Sequence, residues 1–148
     1  MTMRVAICGG GVIGACLAYY LSLDGADVTL IERHEIAGAA SGKSGGFLAL
    51  DWCDGSPLSA LARRSFQLHE ELANNLGNDW GYRRLDTYSA NASARGSSGS
   101  GTDSTLLSWL KPDVVVRGQL GTTNTTAQVI PAAFTRGMIE HSVSRGAE

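Results

Sequence analysis

The chain has 148 residues, which at roughly 100–200 residues per domain is one domain or part of one. Its 12 Lys and Arg against 14 Asp and Glu leave a net charge of −2, without the basic excess that nucleic acid or an anionic membrane surface calls for. Hydrophobic residues make up 43%, enough for a core, and the odd set Cys8, Cys16 and Cys53, at no metal-ligand spacing, excludes a disulfide framework and a cysteine-rich zinc site.

Residues 4–8 read as a short buried strand, and Gly9 to Gly14 as a glycine loop. Residues 12–24 read as a helix with Ile13, Leu17, Tyr20 and Leu21 on its apolar side and Gly25 as its stop. A second strand, 27–31, ends at Glu32-Arg33, which completes a βαβ unit with parallel strands and a right-handed crossover. Val5 to Leu23 carries no charge, but Gly9-Gly10-Gly11 interrupts it and no cleavage site follows, so neither a membrane span nor a signal segment is expected. Thr2 after the initiator Met excludes N-myristoylation, and free thiols fit a reducing, cytoplasmic compartment.

Residues 37–46 are small and glycine-rich, with Ser41, Lys43 and Ser44, and read as a loop. Ser56-Pro57 looks like an N-cap with Pro at the first helical position. Leu58, Leu61, Ser65, Leu68, Leu72 and Leu76 then mark an amphipathic helix that Gly77 closes. Weak alternation predicts a strand over 82–89, and the Ser/Gly-rich stretch 90–105 predicts a flexible surface loop. Short apolar pieces at 106–110 and 114–116 flank Lys111-Pro112. A last helix is predicted over 131–145, with Phe134, Met138, Ile139 and Val143 on its apolar side. An α/β order calls for a strand after it, and none is predicted, so this end reads as an interruption.

The chemistry concentrates near the start. In Gly9-x-Gly11-x-x-Gly14, Gly9 permits the tight turn, Gly11 lets a pyrophosphate approach the backbone, and Gly14 lets the helix pack close to the strand. The N–H groups of Val12 and Ile13 open the helix, where the positive dipole end favours phosphate. Glu32 stands 18 positions after Gly14, placed to accept hydrogen bonds from an adenosine ribose. Arg33 is placed for a 2′-phosphate, but Glu32 would repel one, which argues against NADP. NAD and FAD both fit this first unit. The second glycine- and serine-rich stretch, 37–47, is not part of a standard NAD unit and suits a longer anionic cofactor.

Gly9 to Gly14, Ala18-Tyr19-Tyr20-Leu21, Glu32-Arg33 and Ala40-Ser41 through Gly46 together resemble the D-amino-acid-oxidase-like FAD-dependent oxidoreductases, the group of glycine and sarcosine oxidases. Its plant and fungal members also share the stretch from Ser41 to Gly55 and Trp80 to Leu85. The resemblance is dense over 4–88 and resumes at Thr126 to Val129. It implies a Rossmann-type FAD-binding βαβ domain with a parallel sheet, plus part of a second, substrate-side α+β region. The expected division is 1–47 for the FAD unit and flavin loop, 48–125 for a partial substrate-side region, and 126–148 for a truncated return to the FAD unit. By resemblance, Gly9, Gly11, Val12, Ile13 and Gly14 serve the pyrophosphate, and Glu32 and Arg33 face the adenosine. Ala40 and Ser41 lie along the phosphates and ribityl chain, and Gly45, Gly46 and Phe47 approach the flavin; Lys43, set either near the flavin or as a phosphate-side or solvated lysine, and Ser44 complete the cofactor-binding set. Relatives with covalent flavin carry a His where Lys43 stands, so the FAD is expected to be non-covalent.

The activity implied is hydride transfer from a small amine or amino acid to the flavin, the imine then hydrolysing in water. The family's chains run two to three times this length, and its substrate-binding Arg and Tyr lie in the later part, so no catalytic residue is assigned. A truncated non-catalytic chain and an NAD module of another enzyme are the alternatives. Self-association through an incomplete sheet is expected. His34, His69 and His141 are scattered, and no metal site is expected. Asp51, Trp52 and Asp54 are candidates for a substrate wall. Arg83-Arg84 reads as a charged strand edge before a carboxylate-steering pair. Asn124-Thr125-Thr126 matches a glycosylation acceptor, which carries no weight without a secretory signal.

Overall fold

The computed structural model describes residues 2–92, 109–110 and 114–148. Most of the predicted 90–105 loop, most of the 106–110 piece and Lys111-Pro112 lie outside the described residues. The fold begins with β1 (Arg4–Cys8), α1 (Val12–Leu23) and β2 (Asp27–Ile31). β1 and β2 pair in parallel, from Arg4 opposite Asp27 to Cys8 opposite Ile31, so the expected βαβ unit is present.

Period-2 alternation puts Ile7 and Val28 inward, where they pack with Ala18 and Ala147. Ala6, Cys8, Thr29 and Ile31 stay exposed on the other face. β1 is therefore half buried rather than buried throughout. Parallel sheets are ordinarily covered on both faces, and this one is covered on one.

The short helix α2 (Ala40–Lys43) interrupts the predicted 37–46 loop. Then come β3 (Phe47–Ala49), α3 (Ser59–Leu76), β4 (Arg83–Arg84), β5 (Thr87–Ala92), β6 (Val114–Gly121), β7 (Thr126–Gln128) and α4 (Pro131–Val143). β7 lies between β3 and β4, antiparallel to both. β5 and β6 form a separate antiparallel pair with two irregularities. The strand expected over 82–89 is thus two strands in two sheets, and the short piece at 114–116 is the start of an eight-residue strand.

The buried side of α1 differs from the expected one. Gly14, Ala15, Ala18, Tyr19 and Ser22 face inward, while Ile13, Leu17 and Tyr20 are exposed. Small residues win because α1 is pressed between β1 and α4. A Cβ on Gly14 would collide with the Gly9 carbonyl oxygen. In α3 the buried residues are Phe66, Leu72 and Ala73, and Leu58 and Leu61 are exposed. Ser56 does not cap α3: its Oγ accepts the Leu58 N–H within the preceding turn. In α4, Phe134, Thr135, Met138 and Ser142 are buried and Val143 is exposed.

The main core joins Ala15 and Tyr19 of α1, Leu72 and Ala73 of α3, and Phe134 and Met138 of α4 around Trp80 and Val129. After α4, Gly146 takes a φ of 97° and turns the chain back to the sheet. The Glu148 N–H donates to the Val28 carbonyl at 2.9 Å, and its carbonyl accepts the Leu30 N–H at 2.7 Å. This is a parallel bridge, on the edge of β2 opposite β1, at the place where the expected strand was missing from the sequence reading. Among the described residues, no helix is long and apolar enough to cross a membrane.

Candidate functional site

The glycine turn after β1 sits at the C-terminal end of the parallel pair, where open α/β sheets form their crevices. Gly9 adopts a φ of 110° and its N–H donates to the Ile31 carbonyl at 2.8 Å. Gly10 is buried, and its N–H donates to Glu32 Oε2 at 2.7 Å. The His34 N–H donates to Glu32 Oε1 at 2.8 Å. These two backbone bonds hold the Glu32 carboxyl below the usual glutamate range, the bond from Gly10 acting most strongly. The acid is thereby fixed as a carboxylate, and each oxygen keeps a further lone pair for a ligand hydroxyl.

The opening of α1 is arranged differently from the sequence reading. The Val12 N–H is not free: it donates to Ser41 Oγ at 2.9 Å. Among the described residues, the N–H groups of Gly11 and Ile13 make no hydrogen bond and remain for an anion. A Cβ on Gly11 would come within 3.0 Å of Ser41 Oγ and fill the gap between the turn and α2.

Two clefts meet at Ser41. The first, about 450 Å³, is lined by Gly10, Gly11, Glu32, Arg33, His34, Glu35 and the 37–39 turn. The second, about 490 Å³, runs past Val12, Ala40, Ser44, Gly45, Gly46, Phe47 and Leu48 to His69, Val129, Pro131, Phe134 and Thr135. Ser41 walls both, and the pair is termed the groove: the first cleft carries the Glu32 carboxylate and the second is more apolar.

Of the residues singled out from sequence, Gly11, Glu32, Arg33, Ala40, Ser41, Ser44, Gly45, Gly46 and Phe47 line this groove, as does Val12. Gly9 and Gly14 shape the turn without lining it, Ile13 is 73% exposed, and Lys43 ends α2 in solvent. Sequence reasoning did not place His34, Glu35, His69, Val129, Pro131, Phe134 and Thr135 at the site. The last four arrive from more than eighty positions along the chain, and no local spacing marks them.

His69 packs on Phe134 with ring centroids 4.7 Å apart, its buried Nδ1 has no partner among the described residues, and burial holds its pKa below the ordinary histidine value. Gly46 needs its φ of 67°, and a Cβ there would strike the Val129 carbonyl. That carbonyl's own residue donates its N–H to the Gly46 oxygen at 2.9 Å.

The proposed substrate wall divides. Trp52 packs on Phe47 with centroids 4.9 Å apart and donates its indole N–H to the Leu120 carbonyl. Asp54 is taken up by Arg63 and Ser59, which hold its carboxyl below the usual aspartate range. Arg84 lies over the Phe66 ring and pairs with Glu70, and Arg83 donates to Gln128. Thr126, in the glycosylation-like triplet, is fully buried.

Comparison with known proteins supplies the family. The model of the DAO family, described as FAD dependent oxidoreductase, matches residues 4–148. A Schizosaccharomyces pombe protein, named by class alone as an oxidoreductase, is 35% identical over 94% of this chain. The Saccharomyces cerevisiae protein TDA3, named in the same way, is 44% identical over 62% of it. The chain spans 38% of the first relative's length and 18% of the second's. Among solved structures, glycine oxidase from Bacillus cereus superposes with a TM-score of 0.73 at 24% identity, covering all of this chain and 46% of that one. L-amino acid deaminase from Proteus myxofaciens gives 0.71 at 21% identity, covering 99% of this chain and 37% of that one.

Proposed function

The chain belongs to the DAO family of FAD dependent oxidoreductases, and from that premise we propose that it supplies the non-covalent FAD site of an enzyme that oxidises a small amine or amino acid. The observation that carries this reading is the pair of clefts that share Ser41, one holding a fixed carboxylate and the other bordered by the Gly45–Phe47 loop. The groove's length and its change from polar to apolar suit a dinucleotide with a large flat ring better than NAD, because the 37–47 segment adds a second half to the ordinary unit.

In this reading Glu32 accepts from the adenosine ribose hydroxyls, and Arg33 borders the adenosine. The N–H groups of Gly11 and Ile13 donate to the pyrophosphate, with Gly9 and Gly14 setting the turn. Val12 and Ala40 wall the phosphates, and the Ser41 hydroxyl, while accepting from Val12, turns its own hydrogen to the ligand. Ser44 follows toward the ribityl chain, with Lys43 exposed beside it, and Gly45, Gly46 and Phe47 border the ring. The chemistry that FAD would supply when held there is that of a hydride acceptor for the amine carbon. Phe47 and Trp52 pack on each other beside that end of the groove.

The names of the solved neighbours, a glycine oxidase and an L-amino acid deaminase, support an amino acid or amine as substrate. Residues 1–47 form the FAD unit, 48–125 the substrate-side part and 126–148 the return in the same reading. The bare sheet face at Ala6, Cys8, Thr29 and Ile31 supports self-association of this chain.

The test is a visible absorption spectrum of the chain with added FAD after desalting, with NAD as control. A retained flavin band that Glu32→Ala removes supports the reading. Candidate amines are then screened by bleaching of that band. Retention of NAD in place of FAD would sink it.

A further inference from the structure

Gln128 occupies the middle of the β3-β7-β4 sheet, with Phe47 opposite it on one neighbour and Arg83 opposite it on the other. Residues in register across a sheet share a face, so Phe47, Gln128 and Arg83 form a row on one side. Gln128 makes two side-chain bonds. Its Oε1 accepts from the Arg83 guanidinium, and its Nε2 donates to the Gly45 carbonyl at 3.3 Å. A guanidinium only donates and a carbonyl only accepts. The amide therefore has one orientation that satisfies both partners, and Arg83 locks it.

The consequence falls on the next peptide. The Gly45–Gly46 peptide is trans, there being no cis peptide bond among the described residues, so the Gly46 N–H points opposite to the Gly45 carbonyl. The Gly45 carbonyl is drawn toward Gln128, which borders a separate cleft beyond Phe47. The two glycines themselves line the groove. Among the described residues, the Gly46 N–H has no hydrogen-bond partner. The Gly46 carbonyl is tied in turn to the Val129 N–H.

We infer that Arg83 and Gln128 are positioning residues: through Gly45 they hold the Gly46 N–H as a fixed donor toward the apolar end of the groove. This rests on the reading of that end as the flavin site. The chain of bonds also places a positive charge at the far end of the peptide, which polarises it and strengthens the N–H as a donor. An electron-rich ring atom is the acceptor that such a donor selects.

The experiment uses the full chain and four variants: Gln128→Leu, Gln128→Glu, Arg83→Met and the Arg83→Met/Gln128→Leu pair. Without FAD, hydrogen exchange is read at the Val129 amide, with the Gly9 amide in the N-terminal turn as internal reference. Gln128→Leu is expected to speed exchange at Val129 about fivefold while Gly9 is unchanged. With FAD, fluorescence titration is expected to give about fivefold weaker binding for Gln128→Leu and a smaller loss for Arg83→Met. The double variant should be no weaker than Gln128→Leu, because Arg83 acts through Gln128. Gln128→Glu keeps the Arg83 pairing but loses the donor to Gly45, and should behave as Gln128→Leu does. The flavin's midpoint potential should fall in each variant.

Unchanged exchange at Val129, additive losses in the double variant, or full retention in Gln128→Glu would overturn the inference. If the unaltered chain takes up no FAD, the functional reading fails by itself. The exchange measurement then still decides the relay, and Arg83→Met, altered only at an exposed side chain, decides it should Gln128→Leu fail to fold.

Discussion

Ser41 caps a helix that begins 29 residues before it: its Oγ accepts the Val12 N–H at 2.9 Å. The residue at the ordinary capping position, Gly11, has no side chain to offer. The glycine that lets a ligand approach has therefore moved the cap to another element. Ser41→Ala should cost about 1 kcal/mol of stability, the usual worth of an N-cap. Urea denaturation checks it, with the midpoint lowered and the slope unchanged.

Gly14 and Gly45 make a contrasting pair. A Cβ on Gly14 meets the Gly9 carbonyl oxygen, whereas a Cβ on Gly45 meets nothing within 4 Å. Gly14→Ala should destabilise by about 1–3 kcal/mol, as overpacking against backbone does. Gly45→Ala should stay within about 0.5 kcal/mol of the parent. Equal effects in the same denaturation series would contradict the close packing of α1 on β1.

The two backbone bonds on Glu32 lower its pKa in the folded chain relative to the unfolded one. The unfolded state then binds more protons in acid, so the contribution is present above the ordinary glutamate range. It is lost as pH falls through the folded value. Glu32→Gln should differ from the parent most at neutral pH and converge with it in acid. Thermal melts across that range measure the difference, and a gap that widens in acid would refute it.

Burial pushes the Cys16 thiol up to about 11. Cys8, by contrast, is exposed on the bare face of the sheet. The thiolate is the reactive form. A thiol reagent at mildly alkaline pH should therefore label Cys8 readily and Cys16 only after denaturant is added. Mass spectrometry of the labelled peptides reads the order.

The sequence made the βαβ unit legible because its signals are local: a glycine turn, two short apolar strands and an acid at fixed spacing. The inward face of α1 was not legible. Periodicity weights large residues, and here the close approach of β1 and α4 selects Gly14, Ala15 and Ala18 while Ile13 and Leu17 stay outside. Arg83-Arg84 looked like one charged edge, yet alternation sends Arg83 to Gln128 and Arg84 to Glu70 and the Phe66 ring. In the groove, the contributions of Gly9 to Gly14 and of Glu32 follow from spacing, and those of 37–47 from composition and resemblance. Those of His69, Val129 and Phe134 depend on the tertiary fold and leave no trace in any short window.

The bridge between Glu148 and β2 sets a timetable. Val28 and Leu30 leave the ribosome about 120 residues before the backbone that pairs with their second edge. Throughout that interval the glycine turn exists with one neighbour strand and without α4 against α1. Pairings so distant are closed late and at an entropic cost. The second edge of β2 therefore stays unpaired until the segment after α4 has folded back onto it.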